Sequence, residues 1–141
     1  MKTVYVESSA IVAWLLKEPA RDSISVALAG PSRICSSALT RVEAERAVNR
    51  GAAAGSWTTA EAASIIDILD EFQHEWVLAE VHPRVRQRAG RPFPAEPLRT
   101  LDAIHLATAL EFQALYPEVS VLTLDRRILA NLVPLGLRPA L

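Results

Sequence analysis

The chain has 141 residues, of which 50% are hydrophobic and 22% are charged, and its formal net charge is -1. A chain of this length buries about two-thirds of the surface that its unfolded form exposes, so folding requires neither a disulfide nor a structural metal. The composition excludes a disordered protein, and the near-zero charge excludes binding to nucleic acid through bulk electrostatics alone. We expect residues 1–141 to form a single domain, in which local groups of basic residues provide any contact with nucleic acid.

The single cysteine and the first residues both favour a cytoplasmic protein. Cys35 lies in an apolar segment and has no second cysteine to pair with, which is typical of a buried, reduced thiol. A lysine followed by apolar residues opens the chain as in a signal peptide, but Glu7 interrupts the apolar run. The longest uncharged runs have 10 residues, too few to cross a bilayer. We therefore expect no membrane segment.

Strand-like and helix-like apolar patterns alternate along the whole chain. The predicted strands are 3–6, 33–37, 77–81, 119–124 and 135–138, and the predicted helices are 8–18, 20–29, 37–51, 59–74, a short helix after residue 81, 99–111 and 125–132. In the helix at 37–51, the pattern places Leu39, Val42 and Ala47 on the buried face and makes Gly51 the stop. Thr58 or Thr59 is the expected N-cap of the helix that follows.

Residues 82–99 combine prolines with positive charge. Five arginines face a single acid, Glu96, and four prolines stiffen the segment. The arginines are Arg84, Arg86, Arg88, Arg91 and Arg99. The segment leads into the clearest helix of the chain, with Thr100 as its expected N-cap and Asp102 in its first turn. An acid is stabilised there by the positive end of the helix dipole, so a purely structural role for Asp102 is the simplest interpretation of that residue alone.

The order of elements predicts an α/β three-layer sandwich with a mostly parallel central sheet. Ligands of such sheets bind outside the carboxyl ends of the strands, and Glu7 follows the first strand while Asp125 follows the fourth. Asp102 joins this edge if its helix starts there, and Glu43 joins it if its helix passes beside the first strand. Four neighbouring carboxylates require cations, because like charges raise one another's pKa, and Mg²⁺ or Mn²⁺ suit oxygen ligands.

Four segments around these acids carry a family resemblance. In order and spacing, YVESSAIVAWLLKE, SSALTRVEAERAV, LDAIHLATAL and VLTLDRRI resemble the four acidic motifs of the PIN-domain ribonucleases, in particular the VapC-type toxins of bacterial toxin–antitoxin pairs. The resemblance covers nearly the whole chain. It implies a five-stranded parallel sheet of order 3-2-1-4-5, one or two Mg²⁺ or Mn²⁺ ions held by the four acids, and hydrolysis of RNA phosphodiester bonds. It also implies a homodimer and a small antitoxin protein whose tail covers the site.

Position 7 departs from the pattern of that family. The family has aspartate in the first motif, whereas Glu7 carries its carboxylate about 1.5 Å further from the backbone, and a near-octahedral Mg²⁺ ion tolerates displaced ligands poorly. We hypothesise a working but altered site. The alternative is a catalytically weakened or inert PIN-like module that acts by binding an antitoxin or another partner. A flavodoxin-like receiver also gathers acids around Mg²⁺, but it needs a lysine near the last strand, and the only lysines here are Lys2 and Lys17.

The residues expected to be both catalytic and metal-ligating are Glu7, Glu43, Asp102 and Asp125. Three of them hold one metal ion in this hypothesis, while Asp125 holds a second ion or orients the attacking water. Ser8 and Thr123 are expected to hydrogen-bond ligands or waters, with ordinary strand-end capping as the open alternative.

Two further expectations concern residues close to these acids. Arg46, Arg126 and Arg127 are expected to bind RNA phosphates, because each lies next to an acidic motif in the sequence. His105 lies one turn beyond Asp102. We expect a core histidine that is hydrogen-bonded within its own helix layer, rather than a catalytic base.

Overall fold

The computed structural model describes residues 2–141. Its strands are β1 (Thr3–Val6), β2 (Arg33–Ser37), β3 (Val77–Ala79), β4 (Ser120–Leu122) and β5 (Arg138–Pro139). Its α-helices are α1 (Ser8–Leu15), α2 (Arg21–Ala29), α3 (Ala38–Ala53), α4 (Thr59–Gln73), α5 (Pro83–Ala89), α6 (Thr100–Leu115) and α7 (Arg126–Leu132), and a 3-10 turn follows at Val133–Leu135. No helix within residues 2–141 has the length and apolarity that a membrane span requires.

The five strands form one parallel sheet in the order β3-β2-β1-β4-β5, which confirms the predicted topology. All four residues of β1 are buried, as expected for a central strand that is covered on both faces. Successive side chains point to opposite faces, so Tyr5 enters one core with Leu106 and Phe112 of α6, while Val4 and Val6 enter the other. The parallel arrangement brings the carboxyl ends of β1 and β4 side by side.

The buried thiol agrees with expectation. Cys35 is free and 0% exposed in the core beneath α6. Burial raises the pKa of this thiol to about 12, against a smaller opposing effect of Arg33. A thiol in this environment is inert near neutral pH.

Helix α3 differs from its prediction in two ways. Gly51 does not stop the helix, which continues to Ala53. The Trp57 ring lies so close to Gly51 that a Cβ at this position would overlap the indole. Val42, predicted to be inward, is 55% exposed. The buried face instead carries Thr40, Ala44 and Val48, which follow one another at four-residue spacing.

The start of α6 is shifted by one residue from its prediction. Arg99 rather than Thr100 is the N-cap, and its backbone N–H donates to the Asp102 carboxylate at 3.4 Å. Leu101 is 44% exposed, whereas Asp102 is only 5% exposed. The acid therefore occupies a buried position in the first turn. The Thr58 cap of α4 is confirmed: its hydroxyl accepts the backbone N–H of Glu61, and the Glu61 carboxylate accepts the backbone N–H of Thr58.

Candidate active site

The fold places the four predicted acids on one cleft of about 480 Å³. Glu7 is the residue between β1 and α1, and Asp125 is the N-cap of α7, just beyond β4. Glu43 projects from the second turn of α3, and Asp102 from the first turn of α6. Helix α6 begins at this edge of the sheet, and α3 packs against α1, the helix that follows β1, so that Glu43 reaches Ser8.

Hydroxyl groups surround the buried carboxylate of Glu7. Its Oε1 accepts a hydrogen bond from Ser8 Oγ at 2.7 Å, and its Oε2 accepts one from Thr123 Oγ1 at 2.6 Å and another from Ser9 Oγ. The hydroxyls of Ser9 and Thr123 also accept backbone N–H groups, from Leu124 at 2.9 Å and Asp125 at 3.0 Å. Each hydroxyl hydrogen is thereby left for Glu7. Sequence reasoning placed Ser8 and Thr123 near the acids but missed Ser9.

Ser8 lies between two carboxylates. Its Oγ is 2.7 Å from Glu7 Oε1 and 2.8 Å from Glu43 Oε2. A serine hydroxyl carries one hydrogen, so it donates to only one of these oxygens at a time. The other carboxylate oxygen is left without that donor, and such an arrangement favours a cation nearby.

Glu43 is held from its other side by a buried histidine. His105 Nε2 lies 2.6 Å from Glu43 Oε1, and His105 Nδ1 lies 2.7 Å from the Tyr5 hydroxyl. His105 is 1% exposed, so it is a core histidine, but its partners lie on β1 and α3 rather than within its own helix layer. Both ring nitrogens are engaged.

The hydroxyl of Tyr5 contacts the other nitrogen of the histidine ring. Burial, reinforced by the negative charge of Glu7, holds the pKa of Tyr5 well above its ordinary value, so the phenol keeps its proton. Within residues 2–141 its hydroxyl is hydrogen-bonded to His105 Nδ1. An ionised Glu43 carboxylate can only accept hydrogen bonds, so His105 Nε2 carries a hydrogen and donates it to Glu43.

The pKa of Glu43 reflects these contacts. Burial alone would raise it, but the hydrogen bond and electrostatic attraction of His105, the hydrogen bond from Ser8 and the charge of Arg99 together outweigh burial and hold the pKa below its ordinary value. The carboxylate of Glu43 is therefore ionised and oriented at neutral pH.

Asp102 and Asp125 are joined by one arginine. The guanidinium of Arg99 donates from Nε to Asp102 Oδ2 at 3.2 Å and from Nη2 to Asp125 Oδ2 at 3.3 Å. Asp125 Oδ1 accepts the backbone N–H groups of Arg127 at 2.9 Å and Ile128 at 3.1 Å, which caps α7. The Arg99 side chain is 67% exposed, so it is free to withdraw into solvent. The sequence showed Arg99 only as part of the basic segment; its spacing of three residues before Asp102 was the available signal.

The predicted RNA-binding arginines are exposed but do not line the cleft. Arg46 lies on α3, and Arg126 and Arg127 open α7 beside Asp125. The cationic residues that line the cleft are Arg50, one turn beyond Arg46, and Arg99.

The donor set of the cleft fits a hard divalent cation. Ligand atoms of Glu7, Glu43 and His105 lie within 4.8 Å of one another, and Asp102 and Asp125 line the same cleft. Carboxylate oxygens suit Mg²⁺ and Mn²⁺, whereas a histidine ligand is more typical of Zn²⁺. Since the Nε2 hydrogen of His105 is directed at Glu43, the available ligands are the carboxylates.

Comparison with known proteins places the chain in a family. Residues 4–132 match the PIN domain. "Ribonuclease VapC46" of Mycobacterium tuberculosis is 38% identical over 109 residues, which cover 77% of this chain and 75% of that protein. "Ribonuclease VapC35" of the same organism is 32% identical over 127 residues, which cover 89% and 86% of the two chains. The protein therefore belongs to the PIN-domain family, as a relative of the VapC proteins.

Proposed function

We propose that this protein is a divalent-metal-dependent endoribonuclease, the toxin of a toxin–antitoxin pair, that hydrolyses phosphodiester bonds in RNA. The observation that carries this proposal is the convergence of Glu7, Glu43, Asp102 and Asp125 on one cleft at the carboxyl edge of the sheet. The two relatives named above are both called ribonucleases, which supports the same chemistry.

The four acids would hold Mg²⁺ or Mn²⁺. A bound ion of this kind polarises a phosphate oxygen and makes water a stronger nucleophile at neutral pH. The protein supplies the geometry. Hydroxyls of Ser8, Ser9 and Thr123 restrain Glu7, and His105 restrains Glu43. Preorganised ligands of this kind avoid reorganisation during the reaction.

The other two acids are neutralised by a group that can exchange. Arg99 pairs with Asp102 and Asp125, and its exposure allows it to leave when a metal ion takes its place. An arginine at the rim of the cleft is also suited to a bidentate contact with an RNA phosphate. We propose Arg99 and Arg50 as phosphate-binding residues, in addition to the predicted Arg46, Arg126 and Arg127.

The glutamate at position 7 is accommodated by its surroundings. Its longer side chain reaches Thr123 beyond β4 and Ser9 in the first turn of α1. We call the hydroxyls of Ser8, Ser9 and Thr123 around the Glu7 carboxylate the hydroxyl cage. This cage supports a working site rather than an inert module. The VapC relationship further supports a small antitoxin protein as partner and a homodimer as the assembled form.

An RNA cleavage assay tests the proposal. We expect the wild-type chain to cut RNA with Mg²⁺ or Mn²⁺ and not with EDTA, and Asp102→Asn to cut at least about 100-fold more slowly, because it removes a proposed ligand rather than a group that only orients one. Asp67→Asn is the matched control, since Asp67 is exposed on α4 and lies outside the cleft. If neither the wild type nor Glu7→Asp cleaves RNA with either ion, the nuclease proposal is wrong.

A further inference from the structure

A second cavity, of about 680 Å³, adjoins the acidic cleft. We call it the arginine pocket; it lies between α5, residues 90–98 and the first turns of α6. Its rim carries Arg86, Arg91 and Arg99, and its apolar floor includes Phe93 and Leu98. Arg99 and Thr100 line both the arginine pocket and the acidic cleft, so the two cavities are directly adjacent.

The irregular wall of the pocket is held in place by side chains. Glu96 accepts the backbone N–H groups of Phe93 at 3.0 Å and Leu98 at 2.8 Å. The buried amide of Asn131 bonds both the N–H and the C=O of Ala95, at 2.8 and 2.9 Å. These bonds satisfy backbone groups that no strand or helix satisfies. The pocket is therefore formed before any ligand arrives.

The pocket carries positive charge that is incompletely neutralised. Within residues 2–141, Arg91 is exposed and its side chain has no ion pair or hydrogen bond. Arg86 donates to the Val81 carbonyl at 2.6 Å, which orients its guanidinium without cancelling its charge. The carboxylate of Glu96 is occupied by backbone donors. In a chain of net charge -1, this concentration of arginines favours an anionic ligand.

We infer that the arginine pocket binds one unpaired nucleotide of the RNA strand, next to the phosphodiester bond that lies over the acids. Arginines at the rim bind its phosphate, and the base enters the cavity between them, above Leu98 and the edge of the buried Phe93 ring, whose face Arg88 covers. This inference rests on the proposed nuclease function. It gives the enzyme a requirement for an unpaired nucleotide beside the scissile bond, because a base in a duplex cannot leave the stack without a free-energy cost.

Gly90 offers a way to test the pocket without removing an arginine. It lines the pocket with φ of -78°, and a Cβ there would meet its nearest atom, the Arg86 carbonyl oxygen, at 3.6 Å, an ordinary contact. Gly90→Glu therefore adds a negative charge at the rim, and Gly90→Gln adds nearly the same volume without charge. Arg91→Ala removes a pocket charge, and Arg84→Ala is its control, because Arg84 lies outside the pocket and pairs with Glu111 at 3.1 Å.

The experiment measures binding of an unstructured RNA 12-mer in EDTA, so that cleavage does not interfere, and then cleavage in Mn²⁺. We expect Gly90→Glu to bind RNA about tenfold more weakly than Gly90→Gln, and Arg91→Ala about tenfold more weakly than Arg84→Ala. In Arg91→Ala, the slope of log affinity against log salt concentration should also become less steep by about one, the change expected for one lost phosphate contact. An abasic nucleotide beside the cleavage position should weaken binding to the wild type and have little effect on Gly90→Glu.

The outcomes separate the pocket from the nuclease proposal. Equal RNA affinity of Gly90→Glu and Gly90→Gln overturns the pocket, even if the wild type cleaves RNA. If Gly90→Glu binds RNA more weakly but the wild type cleaves no RNA, the result supports RNA binding by the arginine pocket and refutes the proposed nuclease activity. A third outcome is that Gly90→Glu weakens binding of a glutamate-rich peptide but leaves the affinity for RNA unchanged. The pocket would then bind an acidic protein partner, and the inference would be wrong.

Discussion

The two halves of the acidic cleft are built in different ways. Glu7 and Glu43 are restrained by neutral donors, namely three hydroxyls and the Nε2–H of His105, which are themselves fixed by the protein. Asp102 and Asp125 are neutralised by the exposed guanidinium of Arg99. We call the first half the fixed half, because the protein itself supplies and holds its hydrogen-bond donors. The second, the exchangeable half, carries a counter-ion that a metal ion can replace.

The largest expected effect comes from removing a charge in the fixed half. Glu7→Gln replaces a carboxylate oxygen by an amide NH₂ that faces hydroxyl donors. The substitution therefore weakens metal binding and breaks hydrogen bonds of the hydroxyl cage. We expect RNA cleavage to fall at least about 100-fold, more than the loss typical of a group that only orients a ligand. Glu7→Asp should not exceed the wild type, because its shorter side chain withdraws from Ser9 and Thr123. Faster cleavage by Glu7→Asp would show that the cage does not suit glutamate.

His105 tests whether the fixed half needs its orienting donor. His105→Leu removes the hydrogen bond to Glu43, and we expect Mn²⁺ affinity to fall about 10- to 100-fold by calorimetry. His105→Gln, which retains an amide donor, should recover part of this loss. Tyr5→Phe keeps an aromatic ring at position 5 but removes the hydroxyl that is hydrogen-bonded to His105 Nδ1, so its effect should be smaller. A melting curve in EDTA for each variant distinguishes lost orientation from lost folding; unchanged Mn²⁺ affinity in folded His105→Leu would contradict the positioning role.

Substitution of Arg99 should raise the affinity for Mn²⁺, whereas substitution of His105 should lower it. Arg99→Ala leaves Asp102 and Asp125 without their cation, so we expect Mn²⁺ to bind several-fold more tightly and RNA to bind several-fold more weakly. The melting temperature should fall in EDTA and recover with Mn²⁺, because the buried Asp102 carboxylate loses its partner. Arg138→Ala removes the same charge from β5 and serves as control. Weaker Mn²⁺ binding by Arg99→Ala would argue against exchange.

The smallest expected effect is a pH dependence of stability. Because the folded state lowers the pKa of Glu43, this group stabilises the protein above its ordinary pKa of 4.5, and the contribution disappears as the pH falls through the lower folded value. Urea unfolding in EDTA should therefore show a smaller loss of stability between pH 6 and about pH 3 for Glu43→Gln than for the wild type. Equal losses would mean that the contacts of Glu43 contribute no net stabilisation.

Topology explains why the acids at strand ends could be predicted. Glu7 and Asp125 follow strands whose parallel pairing fixes a common edge, so the sequence was sufficient. Glu43 and Asp102 depend on where two helices start, and only their conditional placement could be derived. The contacts between elements could not be derived, because the pairing of Tyr5 with His105 spans 100 residues and depends on side-chain rotamers.

Local patterns misled where one residue had two possible roles. The sequence pattern predicts that Gly51 ends the helix, yet this glycine is needed for the close approach of Trp57. Val42 reads as a core residue, yet the small side chains of Thr40 and Ala44 allow α3 to pack with a different face inward. Neither error displaced Glu43, because the helix itself was correctly predicted.

Calorimetric titration of Mn²⁺ into the wild type, Glu43→Gln and Asp102→Asn tests most directly whether both halves form one metal site. We expect binding to weaken strongly in both variants, while the Asp67→Asn control binds as the wild type does. Loss of binding in Glu43→Gln with wild-type binding in Asp102→Asn would contradict this account, because it would confine the metal to Glu7, Glu43 and His105.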